Sequence, residues 1–165
     1  MKHERFRNRT NEWETPIEVF GVLDAEFGFT LDVCASSENR KCENYFDKER
    51  DGLRQEWRGV CWMNPPYGQQ IRLWVKKAFD SSVNGARVVC LLPARTNTAY
   101  WHNYCMKAEI RFIKGYPRFG DAVQGLKFPL AVVVFRPPGA NDFVANVMRS
   151  CVFPAKPLRT TTHDV

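Results

Sequence analysis

Three short apolar runs set the limits on how this chain folds. Gly59-Val60-Cys61-Trp62-Met63, Arg87 to Leu92 and Leu130 to Phe135 each read as a buried strand. Proline follows all three, as Asn64-Pro65-Pro66, Pro93 and Pro137-Pro138. After the first run, Ile71, Trp74, Val75, Ala78 and Phe79 recur at helical spacing and predict an amphipathic helix from about Gln70. Upstream, Thr15-Pro16-Ile17-Glu18 matches a capping box with Pro16 at the first helical position. Val19, Phe20, Leu23 and Phe27 continue the stripe, and Gly28 supplies a stop. Phe29 to Cys34 and Glu109 to Lys114 read as further strands, Thr98 to Lys107 as a helix and 115–127 as a loop. Strands alternating with helices predict an α/β protein with a parallel-type sheet and helices on both faces.

With 165 residues, 44% of them hydrophobic, one core is expected, in a single domain over 13–152. Residues 1–12 read as a basic flexible arm and 153–165 as a flexible tail. The formal net charge of +6 favours an anionic partner and suits nucleic acid. No apolar run reaches 18 residues, and the amino terminus lacks a signal-like apolar stretch, so neither membrane insertion nor secretion is expected. The six cysteines form no CxxC or CxxH pair, so packing rather than metal binding is their expected role, in a reducing cytoplasm.

Asn64-Pro65-Pro66-Tyr67 carries the chemistry. It sits at the carboxyl end of a strand, where open α/β sheets bind ligands. An exocyclic amine is a poor nucleophile because its lone pair is delocalised. Two acceptors that take both N–H bonds localise that pair, and the Asn64 side-chain oxygen with the Pro65 carbonyl are the candidates. The prolines stiffen the turn and hold these acceptors in place. Tyr67 offers a ring for stacking a base, worth about 1–3 kcal/mol. Asp32, ending the first strand, is placed to accept from a ribose or a charged ligand group. Asp51 is a candidate acceptor for an adenine amino group, with a plain turn role as its alternative.

In order along the chain, Trp13-Glu14-Thr15-Pro16, Leu31-Asp32-Val33-Cys34-Ala35-Ser36, Asp51-Gly52-Leu53, Trp62 to Tyr67, Leu91 to Thr96 and Phe128-Pro129 resemble the small phage-type DNA N6-adenine methyltransferases. The resemblance implies S-adenosylmethionine (SAM) as cofactor, double-stranded DNA as partner, and an abbreviated Rossmann-like methyltransferase sheet. It implies catalysis by Asn64, Pro65, Pro66 and Tyr67, and cofactor contacts from Trp13, Thr15, Asp32, Cys34, Asp51 and Asn64. Phe128 is matched to a phenylalanine that packs on the extruded base, with a core role as its alternative.

Two departures stand out: no FxGxG loop follows the first strand, and the stretch before the NPPY strand is too short for two strand–helix units. Contacts within 35–58 other than Asp51 therefore stay unassigned. No large target-recognition domain fits, so DNA contacts are expected from Arg5, Arg7, Arg9, Arg95, Lys114, Arg118 and Lys127. Oligomeric state stays open between monomer and weak dimer. An RNA adenine or a protein glutamine N5 methyltransferase shares the NPPY chemistry, and the missing glycine loop keeps a non-catalytic DNA-binding relative in view.

Overall fold

A computed structural model of the chain describes residues 14–115, 128–139 and 148–151. The expected arm, Trp13, the tail and all of the 115–127 loop except Gly115 lie outside the described residues. Six strands make one sheet in the order β1-β2-β3-β5-β4-β6. They are β1 Leu31–Asp32, β2 Val60–Met63, β3 Arg87–Pro93, β4 Glu109–Ile113, β5 Leu130–Phe135 and β6 Met148–Cys151. The helices are α1 Ile17–Phe27, α2 Ile71–Val83 and α3 Ala99–Asn103, with short 3-10 turns at Gly52–Arg54 and Cys105–Lys107.

The sheet is mixed, which corrects the expectation of a parallel one. β1, β2 and β3 run parallel, and β4 pairs in parallel with β6, but β5 is antiparallel to both of its neighbours. Continuous apolar runs report burial on both faces rather than strand direction, so Leu130 to Phe135 carried no sign of the reversal. Every residue of β5 is buried, as is β3 from Val88 onward.

Residues paired across strands share a face, so Trp62, Val89, Val134 and Glu109 lie on one side of the sheet. α1 covers that side: the Phe20 ring meets Trp62 edge-on at 5.5 Å. Phe135 faces the other way, and α2 covers it through Phe79 at 6.2 Å. Helices therefore flank both faces.

A charged network pins the end of α1 to the sheet. Arg111 donates two bonds to Glu26, at 2.6 and 2.7 Å, and a third to Glu109 at 2.6 Å. Arg136 also donates to Glu109 at 2.6 Å, and both guanidiniums lie over the Phe27 ring. The Arg111 hydrogen bonds hold the Glu26 carboxyl below its usual pKa. Burial pushes Glu109 up, but the bonds and charges of Arg136 and Arg111 outweigh it and the net direction is down.

Three local readings change. Pro16, not Thr15, is the N-cap of α1, and no side chain caps it. The strand expected over 29–34 shrinks to Leu31–Asp32, because the chain turns away and returns to run beside it. Phe46 donates to the Asp32 carbonyl, Asp32 to that of Asn44, and Ala35 to that of Phe46. That return replaces a strand–helix unit and accounts for the abbreviated sheet. The helix expected over 98–107 breaks at Tyr104, whose φ of −126° is not helical.

Candidate active site

Strand direction gathers the site. β1, β2, β3 and β4 all end at one edge of the sheet, and the reversed β5 begins there. Asp32, Asn64, Arg95, Lys114 and Phe128 are thereby brought to a single edge although they span most of the chain. Arg95 and Lys114 are exposed, while Arg5, Arg7, Arg9, Arg118 and Lys127 lie outside the described residues.

At the β1–β2 end of this edge opens a cavity of about 470 Å³, within the range of small-molecule sites. Its lining includes Thr15, Asp32, Cys34, Asp51 and Asn64, five of the six residues matched to cofactor contacts. Trp13 is not described. Pro66 also reaches the cavity, so the NPPY corner opens onto it rather than being sealed in the core.

Asp32 is buried, at 3% exposure. Its Oδ2 accepts from the Lys41 backbone N–H at 3.0 Å and its Oδ1 from that of Cys34 at 3.4 Å. Burial pushes its carboxyl above the usual aspartate value, against the pull of those N–H groups and the Lys41 charge. Cys34, its neighbour on the wall, has its thiol pushed well up by burial and by Asp32. A thiol so shifted stays protonated and is a weak nucleophile.

Thr15, released from capping, takes a different task. Its hydroxyl accepts the Asn64 Nδ2 hydrogen at 2.9 Å across 49 residues of sequence. In this arrangement the amide nitrogen faces Thr15 and Oδ1 points the other way. The segment leading into α1 and the corner are thus coupled by this hydrogen bond.

Tyr67 is not the open platform expected from the sequence. It is 4% exposed, its hydroxyl donates to the Leu91 carbonyl at 3.3 Å, and its ring meets Phe128 edge-on at 6.0 Å. Phe128 is half-buried against it. Arg95 reaches back to donate to the Tyr67 carbonyl at 3.2 Å, which braces the turn after the prolines.

The stretch left unassigned in the sequence supplies most of the cavity wall, with Ala35, Ser36, Lys41, Phe46 and Leu53 among its lining residues. Lys41 also bridges the rim through its ammonium to Glu14 at 3.1 Å. Asp51 occupies a left-handed conformation, φ 49°, and accepts from the Leu53 N–H at 3.3 Å. Next to it, Gly52 is required by packing: a Cβ there would collide with the Val33 carbonyl oxygen. The Gly52 carbonyl accepts from the Trp57 indole at 2.8 Å, and Trp57 stacks on Trp74, which lines the cavity from α2. Trp74 was legible only as part of an apolar helical stripe, and nothing in that spacing separates a core residue from a cavity wall.

Residues 3–133 match the family model described as DNA N-6-adenine-methyltransferase (Dam). The DNA N-6-adenine-methyltransferase of Escherichia phage T1 is 36% identical over 92 residues, covering 54% of this chain and 38% of that protein. The protein of the same name from Haemophilus phage HP1 is 34% identical over 98 residues, covering 58% of this chain and 56% of its own length. The matched stretches thus span less than two thirds of either relative. The family match covers most of the chain, including Thr15, the Asp32 strand end and the whole NPPY corner, and the chain belongs to the DNA N-6-adenine-methyltransferase family.

Proposed function

We propose that this chain is a SAM-dependent methyltransferase acting on the exocyclic amine of an adenine in double-stranded DNA. The observation that carries the reading is that the cavity runs from a buried carboxylate, Asp32, to the Asn64 side chain. A cofactor pocket and an amine-holding corner are thereby in direct continuity.

The cavity suits SAM on its own chemistry. Glu14, Asp32, Asp47, Glu49 and Asp51 line it against Lys41 and Lys48, an acidic balance that favours a ligand bearing a sulfonium and an ammonium. Asp32 is the acceptor for a hydroxyl or ammonium, and Phe46 and Trp74 offer apolar and aromatic surface. SAM, when bound, supplies an electrophilic methyl group. The protonated Cys34 thiol does not compete for it.

Asn64 does the positioning chemistry. With Nδ2 committed to Thr15, Oδ1 accepts one N–H of the target amine and the Pro65 carbonyl the other. The lone pair is then localised, and the positive charge that develops on nitrogen is met by fixed dipoles. A base in a duplex reaches such a corner only by leaving the stack, at a cost of a few kcal/mol. Tyr67 is buried with Phe128 edge-on to it, so a base reaches its ring only when neighbouring side chains move.

The test is incubation with labelled SAM and duplex DNA, followed by nucleoside analysis. N6-methyladenine is the expected product. Label in RNA alone, or in a protein glutamine, would replace this reading with one of its chemical neighbours.

A further inference from the structure

Charge is divided unevenly along the chain. Residues 14–67, which build α1 and the cavity wall, carry eleven acidic and six basic side chains. Residues 68–115, which build α2 and α3, carry two acidic and eight basic ones. α1 has no lysine or arginine, and Glu18, Asp24 and Glu26 lie on its exposed or half-exposed positions. α2 has Arg72, Lys76 and Lys77 against Asp80 alone. Both acids of the basic stretch are already engaged, Asp80 by Lys76 at 2.6 Å and Glu109 by Arg111 and Arg136.

We propose that the outer side of α2, from Arg72 in its first turn to Lys107 packed beside Phe79, is the surface that receives the phosphate backbone of duplex DNA. This deepens the functional reading above and rests on it. Arg72 follows the corner by five residues, so the basic stripe starts where the target amine is held. Arg72 and Lys76 are both exposed and one turn apart, about 6 Å along the helix axis. The Lys107 ammonium lies 5.3 Å from the Phe79 ring centroid, and Phe79 meets Tyr104 at 5.3 Å. Two cations and a half-buried aromatic pair thus continue the stripe away from the corner. The acidic α1 side and cavity rim repel a polyanion, so the same field that attracts the cofactor turns the duplex toward α2.

Fluorescence anisotropy of a labelled duplex with the full chain, across a salt series, tests this surface. Arg72→Gln/Lys107→Gln is expected to weaken binding about tenfold or more. It should also lower the slope of log affinity against log salt by about 1.8, near 0.9 for each phosphate no longer neutralised. Glu18→Gln on α1 leaves the slope unchanged and does not weaken binding, and calorimetric SAM affinity is the same in Arg72→Gln/Lys107→Gln as in the wild type. Should the double variant lose its fold, Arg72→Gln alone with a slope change of about 0.9 decides the matter. A double variant with the wild-type slope, from an enzyme that still methylates duplex DNA, overturns the surface and leaves the functional reading standing. A wild type that neither binds nor methylates duplex DNA sinks both. Duplex RNA that displaces the DNA at lower concentration overturns the choice of partner.

Discussion

The two sides of the cavity are built in different ways. The corner at 64–67 is short, proline-stiffened and clamped from outside, by Thr15 on Asn64 and by Arg95 on the Tyr67 carbonyl. The opposite wall, residues 32–58, is almost without regular structure and is held by its own backbone turns, a strained Asp51 and the close approach of Gly52 to Val33. A corner built this way fixes the direction of a hydrogen bond; a wall built this way encloses volume. On the proposed reading, catalytic positioning falls to the corner and cofactor retention to the wall.

Breaking the corner should produce the largest effect. Asn64→Ala is expected to cut kcat by at least about a hundredfold, the scale of removing one preorganised dipole from a reacting centre. Breaking the wall is the complement: Asp32→Asn removes a buried charge that two backbone N–H groups orient, and cofactor affinity should fall about tenfold to a hundredfold. Its kcat at saturating SAM should stay within a few fold of wild type, as read from the KM-against-kcat split. Gly52→Ala tests the same wall through packing, with a loss of about 1–3 kcal/mol in stability measured by denaturant unfolding.

A gentler change tests the clamp. Thr15→Val deletes the acceptor of the Asn64 amide and should lower kcat about tenfold or less, with Thr15→Ser restoring it. Restoration by serine separates this from a packing defect, because only the hydroxyl is common to both.

The smallest expected effect is in pH. Burial holds the Asp32 pKa above the ordinary aspartate value, so the folded apo protein binds that proton more tightly than the unfolded chain does. The stability this adds is present at low pH and lost as pH rises through the raised value. Glu26 and Glu109 have the opposite sign: their contribution is present above the unfolded pKa and lost as pH falls through their lowered values. If, as proposed, the cofactor is held by the Asp32 carboxylate, affinity should fall with decreasing pH, beginning above the ordinary aspartate pKa of ~4. A SAM titration series in pH, set against Asp32→Asn, reads that fall directly.

The same contrast explains what could be read in the sequence. Helices α1 and α2 and strands β2, β3 and β5 follow from apolar periodicity and proline stops, because burial writes a pattern into residue spacing. The reversal of β5 left no trace, since a strand buried on both faces looks alike in either direction. The corner was legible because its chemistry demands particular residues in a row. The wall was legible only at Asp32, Cys34 and Asp51. Its remaining members act through backbone groups or through shape, as Lys41 does with its N–H and Gly52 with its missing Cβ. Thr15 reads as part of a capping box, and its hydroxyl meets Asn64 instead, because a capping box and a side-chain clamp use the same group.

Calorimetric titration of SAM into Asn64→Ala tests the division between corner and wall most directly. The dissociation constant should stay within about threefold of wild type, a difference under ~0.7 kcal/mol, while methyl transfer to adenine collapses. A tenfold or greater loss of SAM affinity in that variant would show that the corner holds the cofactor too, and the two sides of the cavity would have to be read as one binding surface.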